Sequence, residues 1–118
     1  MCLNLVKGNN KYKIASEDIS VYKLLAYDGE KFLTYFQLSP VEIGRTYVSE
    51  FSFNYDGDVE KGLHSFANPQ DALNGQERLV CRCIIPKGSR YYEGSFANRV
   101  SYASNRLTYV ELLNPQLL

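Results

Sequence analysis

The sequence predicts an α+β domain that is mostly antiparallel β, with about seven or eight short strands and one or two short helices. Its runs of β-branched and aromatic residues are short, and Gly, Asn, Asp or Pro separates them at close intervals. Signals for a helix start and a helix end coincide best over residues 68–75. With 118 residues, of which 45% are apolar, the chain is expected to form one domain, 1–118, with a hydrophobic core, which argues against global disorder.

The amino-terminal part predicts an arm followed by a β-hairpin. Residues 1–18 are expected to form a loosely held arm, because residues 7–11 have turn chemistry. Residues 19–27 are rich in β-forming side chains and predict a strand. Asp28-Gly29 follows, a dipeptide that favours a hairpin turn, and residues 31–36 are the expected returning strand.

The middle of the chain predicts short strands and one helix. Strands are expected around residues 45–49, in the alternating segment 51–55 and over 61–66. The helix is expected over 68–75, because Asn68 can cap its first amides, Pro69 suits the first helical position and Gly75 can end it.

The carboxy-terminal part predicts further strands. Residues 79–85 form the strongest core pattern, and residues 106–112 are expected to form the last strand. Between them we expect short strands at 90–92 and 100–103, with a loop at Gly94-Ser95.

Composition limits the possible partners and the location of the chain. Lys plus Arg equals Asp plus Glu at 13 each, so the overall charge favours neither double-stranded nucleic acid nor a membrane surface as a partner. The apolar runs are too short to span a bilayer, and the first residues lack a secretory pattern. The chain has three cysteines, an odd number that does not fit a disulfide framework, so reduced thiols are expected. We therefore expect a cytoplasmic protein.

Charge is nevertheless segregated along the chain. Residues 1–77 contain 7 basic and 11 acidic residues, whereas residues 78–118 contain 6 basic and 2 acidic residues. In the second part arginines alternate with aromatic residues, a composition that can stack on bases, pair with phosphates or bind a protein. The predicted ligand-binding residues are Arg82, Arg90, Tyr92, Arg99, Tyr102, Arg106 and Tyr109.

Arg82 raises a separate question, because it shares a strand face with Val80 and Ile84. An arginine in a central strand is costly without a partner. Its partner is either Glu111 in the last strand or the anionic group of a ligand, and the sequence leaves both open.

Catalytic and metal-binding signals are weak, and we predict no catalytic residue, no metal and no cofactor. His64 is the only histidine, and with Glu111 it is the weak candidate for acid–base chemistry. Cys81 and Cys83 lack the spacing of a zinc site, and the acidic turn 56–60 does not continue as a calcium loop.

The segments 60–66, 71–73, 81–94 and 102–105 resemble a family of small uncharacterised proteins of bacterial and phage genomes. This resemblance covers most of the chain and implies no known activity. A phage origin would favour a host-interaction or anti-defence role.

Residues 62–66, Ala72 and residues 79–85 are also similar to the second half of ADP-ribosyltransferases of the poly-ADP-ribose polymerase type. The resemblance implies a donor-nucleotide strand followed by a short helix and a further strand. The His-Gly start of that nucleotide site is not found upstream, and no Glu lies near Asn105. No catalytic residue is therefore carried over.

Together these patterns predict a small non-enzymatic binding protein that recognises a nucleotide-like small molecule or a protein partner. The first alternative is a nucleotide-acting enzyme with a degenerate ADP-ribosyltransferase-like fold, in which His64, Arg82 and Glu111 are the candidates. The second is a structural or assembly protein. Self-association into a homo-oligomer is expected from the leucines near the carboxy terminus, Leu112, Leu113, Leu117 and Leu118.

Overall fold

The computed structural model describes residues 3–5, 11–35, 37–69 and 79–113, and within these ranges the chain is strand and turn with essentially no helix. Thirteen strands lie in the described ranges: β1 (Asn4–Leu5), β2 (Lys13–Ile14), β3 (Ile19–Tyr27), β4 (Phe32–Thr34), β5 (Pro40–Val41), β6 (Thr46–Val48), β7 (Ser52–Phe53), β8 (Val59–Lys61), β9 (Leu63–Phe66), β10 (Leu79–Ile85), β11 (Arg90–Phe96), β12 (Arg99–Ser104) and β13 (Arg106–Leu112).

Eleven of these strands form one sheet, in which the main order is β1-β11-β12-β9-β3-β10-β13-β6. β2 pairs with β11, β4 pairs with β3, and β5 pairs with β4, while β7 and β8 form a separate two-stranded sheet. Every strand pair is antiparallel.

The predicted mostly antiparallel β fold is therefore confirmed. The expected number of strands was too low, because four of the thirteen are only two residues long and carry no periodic pattern. The helix predicted over 68–75 lies outside the described residues, except for Asn68 and Pro69.

β3 is the strand on which the rest of the sheet is organised. Along one edge it pairs with β10 over seven consecutive residues. Along the other edge it has two neighbours, because β9 pairs at Tyr22 and β4 pairs from Leu25 onwards. The two neighbours thus diverge beside Lys23 and Leu24, and the candidate site lies at this fork.

The hairpin between β3 and β4 forms where the sequence predicted it. Asp28 Oδ1 accepts hydrogen bonds from the amides of Glu30 and Lys31 at 2.9 and 2.8 Å. Gly29 has a φ of 94°, which residues with a side chain rarely adopt. The turn chemistry of this segment therefore sets the register of β4 against β3.

The amino-terminal segment is joined to the sheet in its described parts, 3–5 and 11–18, whereas the sequence predicted a loosely held arm. Leu3 is fully buried and exchanges two backbone hydrogen bonds with Val59, at 2.9 and 3.0 Å. The amide of Ala15, also buried, donates to the carbonyl of Ser89 at 2.9 Å. Backbone hydrogen bonds, together with the burial of Leu3 and Ala15, attach these parts.

β11 corrects the prediction for the region around Gly94. The sequence predicted a strand at 90–92 and a loop at Gly94-Ser95, but β11 runs to Phe96 and the turn lies at Ala97-Asn98. Gly94 is a strand residue because β1 crosses close to it, and a Cβ there would overlap the carbonyl oxygen of Asn4.

The main core is formed by alternating side chains of β3, β10 and β13. Leu79, Cys81, Cys83 and Ile85 all face it and are buried, as expected for residues that alternate along a strand. Both cysteines are free thiols.

Candidate functional site

A partly enclosed cavity of about 180 Å³ lies at the fork of β3. Its walls come from β3, β4, β5, β6, β9 and β13 and from the loop after β4. Because β6 is three places from β3 in the strand order, the sheet has to curve for both strands to reach this cavity.

Lys23 places an amine at this cavity. It lies on β3 between Val21 and Leu25, which are buried and share its strand face. Its Nζ donates a hydrogen bond to the carbonyl oxygen of His64 at 2.6 Å. Burial lowers the pKa of Lys23 to about 8, while the neighbouring Cys83 partly opposes this shift. At pH 7 roughly nine-tenths of the amine would be protonated.

No carboxylate of the described residues neutralises the positive charge of Lys23. Lys23 makes no ion pair within the described residues. No Asp or Glu of the described ranges lines the cavity either. A cation that is partly removed from water and lacks a counter-ion favours the binding of an anion.

Ser65 adds an unsatisfied hydroxyl to the same cavity wall. Its side chain is only 1% exposed, and its Oγ has no hydrogen-bond partner among the described residues. A buried polar atom without a partner costs about 1–3 kcal/mol. Because this oxygen is covered by its neighbours, a ligand in the cavity would reach it, and recover that free energy, only after a small rearrangement of the wall.

Two tyrosines of the wall are held by protein contacts. The hydroxyl of Tyr47 accepts a hydrogen bond from the amide of Glu42 at 2.8 Å. Tyr109 packs edge-on against Tyr47, with 5.5 Å between the ring centroids, and its burial raises the pKa of its phenol. Lys23 is the one Lys or Arg among the described residues that line the cavity, and Ser65 lies on the same wall.

His64 is buried with both ring nitrogens facing backbone carbonyls. Nδ1 lies 3.1 Å from the carbonyl oxygen of Gly62, and Nε2 lies 3.2 Å from that of Val59. Burial lowers its pKa to about 4, so the ring is neutral at pH 7 and can donate to only one of the two carbonyls. The unprotonated nitrogen faces a backbone carbonyl oxygen, which has no proton to donate to it.

Arg82 and Glu111 lie directly opposite each other on β10 and β13. Arg82 Nε donates to Glu111 Oε1 at 3.1 Å, and the two side chains are 29% and 57% exposed. Of the two partners that the sequence left open for Arg82, the described structure contains the ion pair. The same contact engages Glu111, the second weak catalytic candidate.

The other predicted ligand-binding residues are divided between two parts of the sheet. Arg90 and Tyr92 lie on β11, and Arg99 and Tyr102 lie on β12, whereas Arg106 and Tyr109 lie on β13. β9, β3 and β10 separate β12 from β13. Arg90 and Arg106 still come close to each other, because Arg90 exchanges two hydrogen bonds with Asn105, the residue before Arg106. Of the seven predicted residues only Tyr109 lines the cavity.

Several of these side chains already have intramolecular contacts. The guanidinium of Arg90 lies 5.1 Å from the centre of the Tyr12 ring, and Arg106 Nη2 donates to the carbonyl of Lys87 at 3.2 Å. Tyr92 is buried, with its ring centre 4.9 Å from that of Phe51. Tyr102 is half-buried against Tyr91. These contacts account for much of the aromatic density without a ligand.

Sequence reasoning missed Lys23 and Ser65. The signal for Lys23 is the alternation Ile19, Val21, Lys23, Leu25, which puts a lysine on the apolar face of a strand. Ser65 carries no comparable signal, because a small hydroxyl residue is common on either face of a strand.

Two further features concern metal ligands and membrane helices in the described residues. In these ranges no three His, Cys, Asp or Glu side chains come together as a metal site would require. No described helix has the length and apolar character needed to cross a membrane.

Comparison with known proteins finds no match, since no family model, curated protein or solved structure is significantly similar to this chain.

Proposed function

We propose that this chain is a binding protein for a small organic anion, held by Lys23 in the cavity at the fork of β3. The observation that carries this proposal is the partly buried ammonium group of Lys23, which has no carboxylate partner in the described residues and shares a cavity wall with the unpartnered hydroxyl of Ser65. A carboxylate or a phosphate accepts hydrogen bonds from both groups and supplies the missing negative charge.

The size of the cavity limits the ligand. Its volume of about 180 Å³ is below the roughly 300–1,000 Å³ of pockets that enclose a drug-sized molecule. The ligand is therefore a molecule of a few heavy atoms, or the anionic end of a larger one. The nucleotide-like ligand predicted from the sequence would enter with its phosphate group only.

A non-enzymatic role accounts best for the other polar groups. His64 and Glu111 are engaged by protein groups, and the cavity wall offers no paired carboxylates in the described ranges. The nucleotide-acting enzyme with a degenerate ADP-ribosyltransferase-like fold is the alternative to this proposal, and the structural or assembly protein is the second. The short helix of residues 68–75 and the host-interaction role remain predictions from the sequence.

Self-association also remains a prediction. Of the leucines on which it rests, Leu112 is half-buried and Leu113 is 43% exposed, whereas Leu117 and Leu118 lie outside the described residues.

The test is titration calorimetry at pH 7 with acetate, inorganic phosphate and adenosine monophosphate, combined with native mass spectrometry. We expect at least one of these anions to bind one site per chain. Lys23→Met should weaken that binding by about ten- to a hundredfold, the loss expected for one hydrogen bond to a charged group. Lys31→Met, the same change at an exposed lysine, should leave it unchanged. Equal binding by both variants would contradict the proposal.

A further inference from the structure

The position of the Lys23 amine suits covalent reaction with a ligand as well as an ionic contact. It is attached to the central strand β3, and apolar neighbours on the same face restrict its access to water. It opens onto a cavity large enough for a molecule of a few heavy atoms. We propose that Lys23 forms a reversible imine with a small carbonyl compound, and that a 2-oxo carboxylic acid is the class that fits the cavity. This inference rests on the proposed function, because the same cavity must first admit an anion.

The hydrogen bond to His64 leaves the amine able to react. The carbonyl oxygen of His64 is an acceptor, so it takes up one N–H of Lys23. The lone pair of the neutral amine is not involved in that contact. A carboxylate partner would instead hold the amine in its charged and unreactive form, and no such partner lies in the described residues.

Burial increases the fraction of reactive amine. With its pKa lowered to about 8, roughly one-tenth of Lys23 is neutral at pH 7. An exposed lysine with an ordinary pKa is neutral to an extent a few hundredfold smaller. Lys23 should therefore react before the exposed lysines at neutral pH.

The reaction balances without any further reactant. The neutral Nζ attacks the carbonyl carbon, a C–N bond forms, and the π electrons move to the oxygen, which takes up a proton. The nitrogen gives up one proton as the carbinolamine forms. The protonated hydroxyl then leaves as water, and the resulting iminium nitrogen releases its second proton. The net change is amine plus carbonyl compound to imine plus water.

The 2-oxo acid is favoured over a neutral aldehyde by charge. The imine becomes an iminium ion when it is protonated, and this cation lies next to the carboxylate of the bound acid. The carboxylate of the ligand thus balances the positive charge of the iminium ion, as it balanced that of the protonated amine. After a small rearrangement of the wall that uncovers it, the hydroxyl of Ser65 can donate a hydrogen bond to the same carboxylate, and so acquire a partner that the described residues do not supply.

The experiment is reductive trapping of the full-length protein with pyruvate or glyoxylate and sodium cyanoborohydride at pH 7, followed by peptide mass spectrometry. We expect the reduced adduct at Lys23 ahead of the exposed Lys31 and Lys87. Lys31→Met should retain it. Lys23→Arg keeps the positive charge and cannot form an imine, so it should lose the adduct. Circular dichroism confirms that each variant is folded.

Acetate, which has no carbonyl group that can form an imine, separates this inference from the proposed function. Acetate binding by wild type and by Lys31→Met, together with trapping of the oxo acid at Lys23 in both, is the expected result. Acetate binding without an adduct at Lys23 would overturn the imine and leave the anion site standing. An adduct at Lys23 without binding of any anion would overturn the anion site. Labelling that favours exposed lysines would contradict the inference.

Discussion

Two cations on neighbouring strands of the sheet have opposite surroundings. Arg82 on β10 is partly exposed and lies 3.1 Å from the carboxylate of Glu111. Lys23 on β3 lies at a cavity, with a backbone carbonyl and no carboxylate as its hydrogen-bond partner in the described residues. The comparison shows that a cation with a charged partner is explained by the fold alone, whereas one without such a partner points to a ligand.

The largest effect is expected at Lys23. Because burial lowers its pKa to about 8, the unfolded chain binds the proton more tightly than the folded chain, and protonation at pH 7 costs about 3 kcal/mol of stability. Lys23→Met should raise the free energy of unfolding at pH 7 by up to that amount. Wild-type stability should rise with pH between about 8 and 10.5, and urea unfolding at several pH values measures this slope. The account would be contradicted if the variant and wild type had the same slope.

Protonation of His64 should change the free energy of unfolding by a similar amount at acid pH. Its pKa is lowered to about 4 by burial, so the neutral ring is preferred in the folded chain. The contribution of neutral His64 to the free energy of unfolding should be fully present above pH 6.5. It should fall by roughly 2–3 kcal/mol as the pH drops towards 4. His64→Gln should reduce this part of the pH dependence in urea unfolding. An unchanged profile would show that other groups cause the acid sensitivity.

Ser65 and Ser89 can be compared directly, and replacing either should change stability less than the changes at Lys23 and His64. Both hydroxyls are buried without a partner in the described residues, but only Ser65 lines the cavity. Replacing either with Ala should raise the melting temperature, by the equivalent of about 1 kcal/mol. Only Ser65→Ala should weaken anion binding in calorimetry. Equal anion affinities in the two variants would remove Ser65 from the site.

The smallest effect is expected at the ion pair. Arg82→Met should lower stability by about 0–1 kcal/mol, because a partly exposed pair contributes little. Glu111→Gln combined with Arg82→Met should restore part of the loss, and a double-mutant cycle in urea measures the coupling. Anion binding should stay unchanged in all three variants. Lost affinity at constant stability would instead support the ligand role for Arg82.

Much of the fold could be predicted from the sequence. The strands over 19–27, 79–85 and 106–112 agree with β3, β10 and β13 to the residue, because long runs of β-forming residues between turn signals leave few alternatives. The extent of β11 could not be predicted, since Gly94 is usually a loop signal and its role depends on β1, a segment distant in sequence.

The candidate site was harder to predict than the fold. The arginines and tyrosines from Arg90 to Tyr109 are close in sequence, but of these predicted residues only Tyr109 lines the cavity. The cavity instead combines residues far apart in sequence, such as Lys23, Ser65 and Tyr109. Their proximity depends on the pairing of β9 and β4 with the same edge of β3, which no local pattern indicates.

The most direct test of the account is a titration of Lys23 itself, followed by the ¹³Cε chemical shift of labelled lysine and assigned with Lys23→Arg. We predict an apparent pKa near 8 for the free protein and a higher pKa when acetate or phosphate is bound, because an anion stabilises the charged amine. A pKa close to the ordinary lysine value of about 10.4, unchanged by either anion, would contradict the central claim.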